Sequence, residues 1–97
     1  MESASTIYSK IEADVLKREE NQKFEYEEEI KHKQKIKQFN KQIKKTKSKS
    51  VKTELSLKKQ KLIDEYNDFE YQSLLNDLNI RSNLDYLYKQ LEYVNKN

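Results

Sequence analysis

Acid–base or metal chemistry in a chain without cysteine would start at histidine, and this chain has one, His32. Glu28 stands four residues before it, a spacing that puts a carboxylate and an imidazole on one face of a helix. Two such groups do not make a site, because a zinc ion takes three or more protein ligands. With Lys31 and Lys33 on either side, His32 is expected on a polar face as a solvated residue. Serines and aspartates are present, but no second histidine or thiol is available to complete a nucleophile and its base. No nucleotide-binding motif occurs. These residues point to no enzyme, no cofactor, no metal and no small-molecule substrate.

The other chemistry on offer is charge. From Ile30 to Lys52 the chain reads IKHKQKIKQFNKQIKKTKSKSVK, with ten lysines and no acid. The net charge of +3 conceals three blocks. Residues 1–30 hold nine acids and four bases, residues 31–61 thirteen lysines against Glu54 alone, and residues 62–97 seven acids and three bases. Such segregation suits either a polyanion contact or the wet flank of a helix that docks elsewhere. For polyanion contact the candidates are Lys31, Lys33, Lys35, Lys37, Lys41, Lys44, Lys45, Lys47 and Lys49. Two details moderate that reading. The block has no arginine, the better reader of bases. Lys31 to Lys37 alternate, which spreads them around a helix.

The elements that carry these residues follow from what is missing. Glycine and proline are both absent, where average usage would supply about a dozen. Without glycine, tight hairpin turns and phosphate-cradling loops are disfavoured, and without proline nothing forces a helix to stop. Charged residues make up 38% of the chain, as in long helices and coiled coils. The expected fold is all-α: an elongated coiled coil or helical hairpin with a short C-terminal helix, in a single unit. No stretch approaches the ~18 apolar residues of a membrane span, and the start does not read as a secretory signal. An intracellular protein of the cytoplasm or nucleus is expected.

Apolar spacing is helical throughout. Ile7, Ile11 and Val15 recur at fours; Ile36, Phe39 and Ile43 at three then four; Leu55, Leu62 and Phe69 at sevens, with Tyr66 beside them. Tyr71, Leu74, Leu75 and Leu78 mark one face, and Leu84, Leu87, Tyr88 and Leu91 repeat that pattern. Two places read as breaks, and a smooth helical continuation through the first stays open, because nothing in it forbids helix. Thr46–Thr53 has low helix propensity, with Ser50 and Thr53 as N-caps, and Asn79–Asn83 offers Ser82 and Asp85 as a capping box. Helices are therefore predicted near 5–46, 52–78 and 83–95. A hairpin folded at 47–51 would set lysines beside lysines and acids beside acids, so completion by a further helix is expected.

Five of the seven tyrosines follow residue 65, and packing is the expected use for them, with Tyr66 and Tyr88 on apolar stripes. Leu62–Leu78, LIDEYNDFEYQSLLNDL, resembles the Swi/Sae family of small helical recombination mediators. Leu62, Ile63, Tyr66, Asn67 and Asp68 match that family's core, Leu74, Leu75 and Leu78 its following helix, and Leu87 with Tyr88 a later pair. Glu70 and Tyr71 stand where the family has a basic residue and an aspartate, and its terminal Phe-Gly is missing. The resemblance implies a small subunit that binds a larger helical partner and assists a recombinase on DNA, with Tyr66 and the leucines at the interface.

Composition and spacing together predict a non-enzymatic coiled-coil subunit that docks on helical partners. The docking set is Ile36, Phe39, Ile43, Leu55, Leu62, Tyr66, Phe69, Leu74, Leu78, Leu84, Leu87 and Leu91. The alternative is a nucleic-acid-associated factor. A membrane-surface helix fits less well, since the basic block lacks tryptophan and a bulky apolar face.

Overall fold

The computed structural model describes residues 2–96. It is all-α. Helix α1 runs Ala4–Lys45 and helix α2 runs Lys49–Lys96, with no strand among the described residues. Neither helix is long and apolar enough to cross a membrane. Ser3 opens α1 as its N-cap, its Oγ accepting the Thr6 N–H at 3.3 Å.

The reversal takes three residues, Thr46–Ser48, and lies inside the predicted break at 46–53. The cap differs from expectation. Ser48, rather than Ser50 or Thr53, accepts the Val51 N–H at 3.4 Å. Thr53 already lies inside the helix, its Oγ1 donating to the Lys49 carbonyl at 3.0 Å. No described residue takes a positive φ, so the turn is made without the left-handed conformation that glycine would have eased.

The second predicted break is absent. Asn79–Asn83 is continuous α-helix, and no separate C-terminal helix exists among the described residues. Asparagine and serine each cost only about 0.5 kcal/mol against alanine in a helix. Ile80 packs on the buried core and Leu84 belongs to it, so tertiary packing carries the helix through the weak stretch.

The chain divides into two compact units, Met1–Lys23 with Ser73–Asn97, and Phe24–Gln72. In the first, α1 and α2 run antiparallel and enclose the buried core. Ile7 and Ile11 meet Leu84, Leu87 and Leu91, with Ala4, Ile80 and Val94 packed around them. Val15, predicted on the same stripe, is exposed instead. The inward positions after Ile11 are Asp14 and Arg18, because a period of 3.6 drifts off a strict spacing of four. Arg18 Nε donates to Asp77 Oδ1 at 2.7 Å, and Asn83 donates to Asp14.

The second unit packs differently. Its inward residues are all half-buried, and none of its described side chains is fully buried. Phe24 meets Phe69 edge to face, with ring centroids 5.8 Å apart.

The first unit therefore carries the tightest packing. Leu87→Ala, in the core, should lower unfolding free energy by about 2–5 kcal/mol. Leu57→Ala, on a side chain 67% exposed, should change it by less than about 0.5 kcal/mol. Thermal melts followed by circular dichroism distinguish the two, and equal melts would contradict this placement of the core.

Candidate docking interface

The twelve predicted docking residues fall into three groups. Leu84, Leu87 and Leu91 are buried within the first unit, closed off by Ile7 and Ile11 of the same chain. They are core residues, and the expectation that they face a partner is corrected. Leu74 and Leu78 are 55% and 46% exposed, on the outer side of α2, with Leu75 beside them at 37%. The remaining seven, Ile36, Phe39, Ile43, Leu55, Leu62, Tyr66 and Phe69, all lie in the second unit and are all half-buried. These seven form its seam, facing inward with edges left open. Beside Phe39 a surface dent of 70 Å³ is lined by Lys35, Gln38 and Gln42, all on α1.

The seam also holds residues that apolar patterning missed. Lys59 is half-buried between Leu55 and Leu62, where a lysine can lay its methylene stem along apolar surface and keep its ammonium in water. His32 is the larger correction. Its ring stacks on Tyr66, with centroids 4.1 Å apart and planes 7° from parallel. Its Nδ1 is buried without a hydrogen-bond partner among the described residues. It is therefore a seam residue and not a solvated one. Glu28, its candidate co-ligand, pairs with Lys31 at 3.4 Å. Among the described residues no group of three or more metal-binding side chains gathers.

Burial raises the Tyr66 hydroxyl above its ordinary pKa, and the charges of Glu70, Glu29 and Glu25 add to the effect. A hydrogen bond with Glu70 works in the same direction. Tyr88, predicted on a stripe like Tyr66, is 52% exposed.

The candidate polyanion residues are exposed as expected. Lys33 pairs with Glu29 at 3.0 Å, and Lys58 outside the candidate set pairs with Glu54 at 3.2 Å. Both pairs, like Lys31–Glu28, are surface pairs worth under about 1 kcal/mol. Lys35, Lys37, Lys41, Lys44, Lys45, Lys47 and Lys49 form no ion pair among the described residues. Lys44 and Lys45 occupy the last turn of α1, where they complement the helix dipole, while the first turn of α2 has no acid.

In the first unit, surface grooves of 330 and 490 Å³ share Glu2, Tyr86 and Gln90. Gln90 Nε2 donates to the Tyr86 hydroxyl at 2.9 Å. In the larger groove Lys10 pairs with Glu2. Comparison with family models, curated proteins and solved structures finds no match to the chain.

The raised Tyr66 value carries a pH signature. A tyrosine whose folded pKa exceeds its unfolded one, about 10, stabilises the fold fully below pH ~10. That contribution disappears as pH rises through the folded value. Denaturant titrations should show wild-type chain losing more stability between about pH 9 and pH 11 than Tyr66→Phe. Identical slopes would refute the assignment.

Proposed function

We propose that the chain is a non-enzymatic helical subunit of a larger assembly, docking on a partner helix through the seam of its second unit. The observation that carries this reading is the half-burial of all seven apolar seam residues there. A two-helix pair leaves the edges of such a seam in water, and a third or fourth helix removes them. Burying apolar surface contributes roughly 25 cal/mol per Å², so covering the remaining edges of Ile36, Phe39, Leu62 and Phe69 favours association. The outward Leu74, Leu75 and Leu78 of the first unit are a separate apolar surface available to partners. Charge zones around the seam then select the partner and its orientation.

A second reading is association with nucleic acid, including the recombination-mediator role that the Swi/Sae resemblance implies. The unpaired lysines of the second unit favour it. They would contact phosphate and carry no sequence preference, because lysines alone do not read base edges.

The docking reading predicts that Leu62→Asp combined with Phe69→Asp abolishes association with the chain's partners, measured by affinity purification from its own cells with circular dichroism as the folding control. Retained association would refute the seam. For the second reading, Lys→Gln at the nine candidate lysines between residues 31 and 49 should remove binding to duplex DNA. The wild-type affinity should fall at least tenfold between about 50 and 200 mM salt. A flat salt response would exclude phosphate contact.

A further inference from the structure

The second unit is electrically polarised along its length. Its segments 24–30 and 62–72 hold eight carboxylates and no lysine or arginine. Its segment 31–61 holds thirteen lysines and one acid. On α1 the sign changes between Ile30 and Lys31, and on α2 between Lys61 and Leu62. Because His32 stacks on Tyr66 and Phe24 meets Phe69, those two boundaries lie within roughly a turn of each other along the hairpin. The unit therefore has an acid zone followed by a lysine zone, and each zone spans both helices.

Folding places like charge beside like charge in each zone. Local pairing relieves little of this. Lys31–Glu28 and Lys33–Glu29 sit at the boundary, and Lys58–Glu54 uses the one acid inside the lysine zone. Ten lysines and six carboxylates of the unit form no ion pair among the described residues.

We propose that the partner on this seam is a second copy of the chain, with the two second units antiparallel and the lysine zone of each lying on the acid zone of the other. This rests on the docking reading above and names its occupant. The spacing of the zones supports it. On α1 the middle of the acid run, Glu27, and the middle of the lysine run, Gln38, are separated by about 17 Å at 1.5 Å per residue. On α2 the corresponding step, from Asn67 to Leu55, is about 18 Å. One antiparallel register therefore satisfies both helices at once. Its two-fold axis passes near residues 33 and 61, next to Ile36 and Leu62, so the open apolar edges meet at the centre and opposite charges meet on both flanks. A two-fold contact of this kind is self-complementary, the commonest symmetry of soluble oligomers. A nucleic acid would neutralise only the lysine zone and would be repelled by the acid zone.

The test is sedimentation equilibrium of the full chain with two charge variants, each checked for helicity. Wild-type chain should dimerise, with its dissociation constant rising at least tenfold between about 50 and 500 mM salt as exposed pairs are screened. Lys35, Lys37 and Lys41→Glu should yield a monomer, as should Glu25, Glu27 and Glu28→Lys. Mixing the two variants should restore a dimer, because the reversed lysine positions of one then lie against the reversed acid positions of the other. Since the chain has no cysteine, spin labels on Gln34→Cys and Lys45→Cys can be placed singly. Labels at 34, near the axis, should lie closer across the dimer than labels at 45, and equal separations would overturn the antiparallel arrangement. A monomeric wild-type chain that still forms a Leu62- and Phe69-dependent complex with another helical protein overturns the second copy and leaves docking intact. A wild-type monomer that binds duplex DNA also overturns it. A dimer untouched by charge reversal but lost in Leu62→Asp with Phe69→Asp overturns the charge register alone. A dimer untouched by either set overturns the docking reading as well.

Discussion

Reversal of the chain within Thr46–Ser48 constrains what the second unit can be. With three residues between α1 and α2, the lysine-rich end of one helix has no place to go except alongside the lysine-rich start of the other. The electrostatic cost per exposed like-charge pair is a few tenths of a kcal/mol, small individually and repeated many times. Lysine is suited to such crowding. Its long stem covers apolar seam while its ammonium stays hydrated, as at Lys59. The consequence is a seam that is apolar at its centre, wet at its edges and one-signed along each zone. Both functional readings derive from that arrangement, one from the open edges and the other from the unpaired charge.

The first unit solves a different problem. Five aliphatic side chains are buried there, and they hold together a pair of helices that would be marginal alone. Next to this core the contacts across the helices turn polar, with half-buried Arg18 bonded to Asp77 and exposed Asn83 bonded to half-buried Asp14. An inward polar pair contributes little net stability, but it resists sliding, because a shifted register would leave Arg18 or Asp77 without its partner. The aliphatic cluster supplies the stability of this unit and the polar pairs specify its alignment.

His32 and Tyr66 show how a half-buried seam accommodates polar rings. Stacking buries two flat faces and leaves the Tyr66 hydroxyl near Glu70. The unpartnered Nδ1 of His32 is a cost that a closed core would seldom tolerate. Its presence fits a unit whose packing is incomplete in the single chain.

Much of the architecture was legible in the residues themselves. The absence of glycine and proline, together with helical apolar spacing, was enough for the all-α class, and the weak helix formers of Thr46–Thr53 marked where a turn could fall without deciding that the chain bends there. The lysine zone and its exposure were equally direct, because thirteen like charges cannot be buried. Periodicity identifies an apolar face without saying what covers it. Leu74 and Leu78 carry the same spacing as Leu84, Leu87 and Leu91, yet the former face out and the latter form the core. Only the pairing of α1 with α2 decides this, since it is Ile7 and Ile11 that come opposite the second set. The same pairing keeps Asn79–Asn83 helical against its local propensity. It also turns His32 from a residue among lysines into one stacked on an aromatic ring 34 positions away in the sequence. Local composition sets what each segment can form; contacts between distant segments determine which face is inside.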